Sequence, residues 1–271
     1  MAKAHISAKI SDEGRLKKKL RDMQRHSAKF TNVVETISGW NEIGWTPVIF
    51  GGFVRDLYVL GSRNYPRDVD VVITNKNNLE IEPNLQSWMV RRTSLGGFHL
   101  QKGTWNFDVW GLEDTWAFQR HPTLFSSPSD LPKTTFLDVE AIAVEILAGG
   151  RIGQIYQHGF FSAIEAKRVD LNWEENGNRP LAAVRALSIA LKLNFTLGHR
   201  LAGYVLEVAN SEGIPALVDA QLRHYGTARL GHFVLENLLG NIGAGMSSGW
   251  DSVPLTFGAQ QLNFWPELLQ A

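Results

Sequence analysis

The sequence contains no cysteine among its 271 residues. That absence excludes disulfides, thiolate-held zinc, iron–sulfur clusters and a cysteine nucleophile, so any metal must rest on carboxylates, histidine or water. No apolar run approaches the ~18 residues that cross a bilayer, and the opening MAKAHISAKISDEGRLKKK carries no apolar leader core. The expectation is a cytoplasmic protein with no membrane insertion. Net charge is missing too: 27 Lys and Arg balance 27 Asp and Glu. No global basic field therefore points to nucleic acid. The phosphate-binding patterns G-x-G-x-x-G and G-x-x-x-x-G-K-[ST] are absent, as is the H-E-x-x-H spacing of zinc hydrolases. At 44% hydrophobic and 20% charged, the composition is that of an ordinary globular protein.

The charge balance is uneven along the chain. Residues 1–30 hold nine basic and three acidic groups, a local +6, so the remaining 241 residues sum to −6. A basic helical arm over residues 1–44 suits a phosphate-bearing partner, although a solvated helix face explains it equally simply.

Hydrophobic spacing predicts helix over 12–42, with Leu16, Leu20 and Met23, then Val33, Val34 and Ile37. A short apolar strand, Pro47–Phe50, meets Gly51-Gly52 and a helix-compatible stretch from Phe53 to Leu60. A polar turn, Gly61 to Arg67, leads into an alternating β-branched strand, Asp68–Ile73. Phe98–Gln101 and Trp105–Trp110 read as further strands, and Gln119–Lys133, with Pro122, Pro128 and Pro132, as a connector. A polar boundary near 170–178 precedes a helical pattern reaching about residue 240. The tail beyond Gly243, with Leu262, Phe264 and Trp265, is expected to pack back. The expected class is α+β: a small mixed sheet flanked by helices over 45–175, followed by an all-helical part over 176–271.

The chemically informative segment runs from Val48 through Gly51, Gly52, Val54, Arg55 and Asp56 to Asp68 and Asp70. Two glycines let backbone approach a ligand closely, and the following helix N-terminus offers free N–H groups to phosphate. Arg55 in its first turn can add a forked contact. Asp68 and Asp70 alternate onto one strand face, roughly 6–7 Å apart at a rise of about 3.3 Å per residue, a spacing that suits a pair of divalent cations. Hard oxygen donors select Mg²⁺ or Mn²⁺.

Together these elements resemble the polymerase-β-type nucleotidyltransferase superfamily, and within it the head of the class II tRNA nucleotidyltransferases (CCA-adding enzymes) and bacterial poly(A) polymerases. The family pattern G-G-x-V-R-D, a Leu-Gly pair and D-x-D matches Gly51, Gly52, Val54, Arg55, Asp56, Leu60, Gly61, Asp68 and Asp70, with a longer connector here. The resemblance implies that Asp68 and Asp70 are catalytic metal ligands and that Asp108 is the third carboxylate, with Glu113 or Asp114 as alternatives. It implies that Gly51, Gly52, Arg55 and Arg185 bind the nucleotide. A second stretch, Asn178 to Leu197, is similar to the family's neck helix, but the base-selecting E-D-x-x-R set is replaced by Asn178, Arg179 and Ala182. Losing a carboxylate and a guanidinium removes directed donors and acceptors for choosing C and A. The family motif D-F-T-I-N-A has only a loose counterpart at Leu137–Ala143, and residues 200–271 match no family element.

The resemblance thus implies transfer of an NMP or dNMP from an NTP or dNTP to a hydroxyl, with pyrophosphate released and no CCA addition. The acceptor is an RNA or DNA end, a tRNA or a protein, in a specialised role such as superfamily members play in bacterial defence or toxin systems. The alternatives are synthesis of a nucleotide signal and a silent nucleotide- or RNA-binding head. Trp105 and Trp110 are candidates for stacking on a base, set against the usual core role of aromatics.

Overall fold

A single serine divides the helix expected over 12–42. In the computed structural model, which describes residues 11–61, 68–76, 79–93, 96–175 and 177–255, helix α1 (Asp12–His26) stops at Ser27 and α2 (Ala28–Gly39) starts there. The Ser27 N–H donates to the Met23 carbonyl at 2.8 Å, while its hydroxyl accepts from the Phe30 N–H at 3.4 Å. One residue thus caps both ends, an arrangement that spacing of apolar residues cannot reveal. The Ser62–Arg67 part of the expected turn, residues 1–10 and the tail from 256 lie outside the described residues.

Seven strands form one sheet: β1 (Pro47–Phe50), β2 (Asp68–Ile73), β3 (Met89–Arg92), β4 (Phe98–Lys102), β5 (Trp105–Gly111), β6 (Ile142–Leu147) and β7 (Arg151–Gln157). Their order is β3-β4-β5-β2-β1-β6-β7, antiparallel throughout except for the central β2–β5 pair. Alternation sorts the two faces. Val69, Val71, Phe107 and Val109 point into a core shared with Leu16, Phe30, Ile37 and Trp40 of the N-terminal segment. The basic helix α1 is therefore packed into the head, with its apolar stripe buried and Lys18, Arg21 and Arg25 outward. Each such large apolar side chain contributes about 1.5–3 kcal/mol when fully buried. Asp68, Asp70, Asn106 and Asp108 fall on the opposite face.

The expected connector Gln119–Lys133 is more ordered than its prolines suggest. It includes the end of helix α4 (Trp116–Arg120) and a 3-10 stretch, Pro128–Thr134, closed by a Ser127–Asp130 capping box. After α5 (Phe160–Ala166) come three long helical segments: α6 (Arg179–Leu193), α7 (His199–Tyr225), which is broken by a kink at Gly213, and α8 (His232–Ser247). Asn178 caps α6 by accepting from the Leu181 N–H at 3.1 Å. Between these helices sits a second small sheet, β8 (Arg168–Val169), β9 (Thr196–Gly198) and β10 (Ser252–Val253), in the order β10-β9-β8. Val253 is fully buried there. Among the described residues no helix is long and apolar enough to cross a membrane.

Candidate active site

The β2–β5 register places Asp70 directly opposite Asp108 and Asp68 opposite Asn106. Adjacent parallel strands lie about 4.8 Å apart, so the two carboxylates share one patch of sheet. Asn106 Nδ2 donates to Asp68 Oδ1 at 2.9 Å. On the far side of β5, His99 is opposite Asp108 in register, and its Nδ1 lies 2.7 Å from Asp108 Oδ1. The sequence marks His99 only as an outward residue of an alternating strand, because its partner is set by hairpin register. The alternative third acids lie elsewhere. Glu113 and Asp114 occupy a 3-10 turn after β5, and Asp114 is buried, which raises its carboxyl above the usual range.

Gly51 and Gly52 form the turn into α3 (Gly52–Val59). Gly51 has φ 71° and ψ −129°, a conformation that side chains rarely adopt. A Cβ on Gly52 would come within 3.3 Å of Glu140 Oε1 and 3.5 Å of Arg55 Nη2. The second glycine therefore makes room for a buried ion cluster beneath the turn.

In that cluster Arg55, only 5% exposed, donates from Nε to Asp56 Oδ1 at 2.8 Å and from Nη1 to Glu140 Oε1 at 2.7 Å. Arg185 of α6 donates to the same Glu140 oxygen at 3.1 Å, and Lys192 donates to Asp56 Oδ2 at 3.0 Å. Arg55 is thus engaged by two carboxylates inside the protein, and Arg185 presents the more open guanidinium, with 54% of its side chain exposed. Burial alone would raise the Glu140 carboxyl, but Arg185 and Arg55 outweigh it and hold it below the usual range. Burial would likewise lower the Arg55 guanidinium, yet Asp56 and Glu140 keep it raised. Glu140 escaped notice in the sequence because it stands in the loosest family motif.

Asp70 is in the opposite situation. Burial pushes its carboxyl up, Arg185 opposes, and Asp108, Glu140 and Asp68 add to the rise, which reaches about 7. A cation between these carboxylates would relieve their mutual repulsion. Their donor atoms are all hard oxygens, so the residues suit Mg²⁺ or Mn²⁺. Among the described residues no three acidic or histidine side chains already converge on a common point.

Two cavities share Gly52, Asp70, Glu140 and Arg185. One, of about 290 Å³, is charged and also bears Asp68, Lys192, Tyr225 and Arg229. The other, of about 220 Å³, adds an apolar wall of Phe50, Trp110, Phe136 and Ala182 to those shared charged groups, with Thr135 beside them. Of the two candidate stacking tryptophans, Trp110 lines this second cavity, whereas Trp105 is buried in the sheet core with its ring edge-on to Phe53. The base-selecting positions are otherwise occupied: Asn178 caps α6, Arg179 donates to Glu207 of α7 at 2.6 Å, and Ala182 is a buried methyl.

This sheet and helical neck form the fold of CCA-adding and tRNA-processing enzymes. An apo tRNA-processing enzyme matches with a TM-score of 0.57 over 80% of this chain and 57% of its own, at 18% identity. A CCA-adding enzyme complexed with ATP matches at 0.58, over 83% and 52%, with 15% identity. The Thermotoga maritima CCA-adding enzyme complexed with tRNA gives 0.55, over 84% and 54%, at 16% identity. The chain spans a little over half the length of these enzymes. No protein-family model and no curated protein sequence matches it. The resemblance carried by Gly51, Gly52, Asp68 and Asp70 thus holds at the level of the fold.

Proposed function

We propose that this protein is a divalent-cation-dependent nucleotidyltransferase that transfers an NMP or dNMP from an NTP or dNTP to a hydroxyl acceptor. The reading rests above all on the parallel register that sets Asp70 beside Asp108, with Asp68 one pleat away, and on the place of Asp70 in both compartments, one charged and one with an aromatic wall. A nucleoside triphosphate has the same two-part character. In this reading residues 45–175 are the catalytic head and 176–271 the neck and C-terminal region.

Asp68, Asp70 and Asp108 would hold Mg²⁺ or Mn²⁺, which when bound neutralises charge developing on the transferred phosphoryl group. The Gly51-Gly52 turn brings the α3 N-terminus close to the phosphates. Arg185 is the accessible phosphate contact of α6, while Arg55 sets Glu140 beneath it. Phe50, Trp110 and Phe136 stack on the base. The acceptor oxygen bonds to the α-phosphorus, the α–β phosphoanhydride breaks, and pyrophosphate leaves with the electron pair. The acceptor proton passes to the Asp70–Asp108 pair. Most of the acceleration then comes from positioning and fixed charge.

Asn178, Arg179 and Ala182 offer no free edge-reading set, which supports template-independent transfer and a specialised role rather than CCA addition. The proposed acceptor class is the hydroxyl of an RNA end. The test is incubation with each labelled NTP and dNTP plus Mg²⁺, with and without total RNA. Extended RNA supports the proposal, and a small new species moves the assignment to a signal synthase. Undiminished incorporation by Asp70→Ala overturns it. The Asp108–His99 contact favours one other reading, a silent nucleotide-binding head, which predicts nucleotide binding with no product.

A further inference from the structure

Three cations of the charged compartment are already paired with carboxylates: Arg55 with Asp56 and Glu140, Arg185 with Glu140, and Lys192 with Asp56. Arg229 is different. It is exposed, lines the same cavity as Asp68 and Asp70, and makes no hydrogen bond or ion pair among the described residues. It belongs to the turn between α7 and α8, in the part of the chain that carries no family motif.

A buried device fixes that turn. Gln221, 2% exposed, donates from Nε2 to the Leu230 carbonyl at 2.9 Å and accepts the Leu230 N–H on Oε1 at 2.9 Å. One amide therefore satisfies both backbone groups of one residue, much as a strand partner would. The Leu230 side chain is fully buried, and Gly226 ends α7 with φ 72°. Burying glutamine is unfavourable unless its amide is fully bonded, so this arrangement holds one backbone geometry. Arg229 is the residue immediately before the pinned position.

We infer that Arg229 receives the polyphosphate of the nucleotide and that Gln221 is its positioning residue. A guanidinium presents a planar fork that matches two phosphate oxygens, and an unpaired one need not break an internal ion pair first. The compartment pairs an acidic floor with a cationic wall, which suits a polyanion that brings its own divalent cation. The inference rests on the nucleotidyltransferase reading for the identity of the ligand. A backbone phosphate of the acceptor would present the same chemistry, and the experiment separates the two sources.

The test uses full-length protein carrying Arg229→Ala, Arg229→Lys or Gln221→Met. Inorganic tripolyphosphate with Mg²⁺ is titrated calorimetrically, and a single-stranded oligoadenylate is titrated separately. Arg229→Ala is expected to weaken tripolyphosphate about tenfold or more, the loss of one charged hydrogen-bonding partner, and Arg229→Lys to recover part of that. In turnover, the nucleotide KM should rise by a similar factor while kcat falls far less. Gln221→Met should shift KM in the same direction with Arg229 still present; the exposed Arg229 variants decide the matter if it does not fold. Undiminished tripolyphosphate binding by Arg229→Ala, no tripolyphosphate binding by wild type, or a loss confined to oligoadenylate each overturns the inference. If no nucleotide gives product, the nucleotidyltransferase reading fails, while the tripolyphosphate titration still decides the role of Arg229.

Discussion

Lys192 and Asp56 meet at 3.0 Å across 136 positions of sequence, joining the neck helix to the helix behind the Gly-Gly turn. Asp56 is 2% exposed and also accepts from Arg55. Removing a buried carboxylate that serves two cations leaves uncompensated charge, a loss of about 3–5 kcal/mol, whereas removing the partly exposed lysine leaves Asp56 paired. Asp56→Ala should therefore shift the denaturation midpoint far more than Lys192→Met. Equal shifts in urea unfolding would show that the seam, not the buried arginine, carries the energy.

Stability should fall as pH rises from 5 to 8. Burial pushes the Asp138 carboxyl up to about 7, with Asp170 adding to the rise and the Asp170 and Val139 N–H groups and Arg168 opposing it. The folded value lies above the unfolded one of about 3.9, so the contribution is fully present below the unfolded value and lost as pH passes 7. Asp138→Asn keeps an oxygen for the Asp170 N–H, 2.9 Å away, and should flatten this part of the profile. Thermal melts in EDTA check it, and parallel profiles for the two proteins would contradict it.

The two turn glycines should fail for different reasons. Gly51→Ala places a side chain at φ 71° and ψ −129°, at roughly 1–3 kcal/mol of backbone strain. Gly52→Ala sets a methyl 3.3 Å from Glu140 Oε1, so that carboxylate must give by a few tenths of an ångström against its pair with Arg55. Pairing Gly52→Ala with Glu140→Gln in a double-mutant cycle should show coupling; Gly51→Ala should be additive with the same change.

Base choice should be weak. A pocket walled by Phe50, Trp110 and Phe136, whose Glu140 and Arg185 are already paired with each other, discriminates chiefly by size and stacking. The four NTPs should therefore differ by about tenfold or less in kcat/KM, and Trp110→Ala should weaken all four alike. A preference of about a thousandfold for one base would reveal an edge reader contributed elsewhere.

The strand Asp68–Ile73 and the Gly51-Gly52 turn are legible in the sequence because alternation and glycine chemistry are local. Asp108 is legible as an outward residue of an alternating strand, but its place beside Asp70 depends on parallel register, which no local pattern encodes. Asp56 is legible as a motif residue next to Arg55, and Glu140 only as part of a loose motif. Only the fold shows that burial with Arg55, Arg185 and Lys192 makes them a framework. The Ser27 break is hidden because the apolar spacing continues across it. Gln221 and Arg229 belong to a region with no motif, and their relation exists only once α7 and α8 close around Leu230.

The layer order of the head also measures length. The cations of α1 and the carboxylates of β2 and β5 lie on opposite faces of one sheet, with the helix layer adding about 10 Å of thickness. A polyanion touching both cannot pass through; it must turn around a sheet edge. On the proposed nucleotidyltransferase reading, only an acceptor long enough to round that edge would meet both surfaces. The position of α1 would then act as a ruler, making the grip on such an acceptor depend on reach.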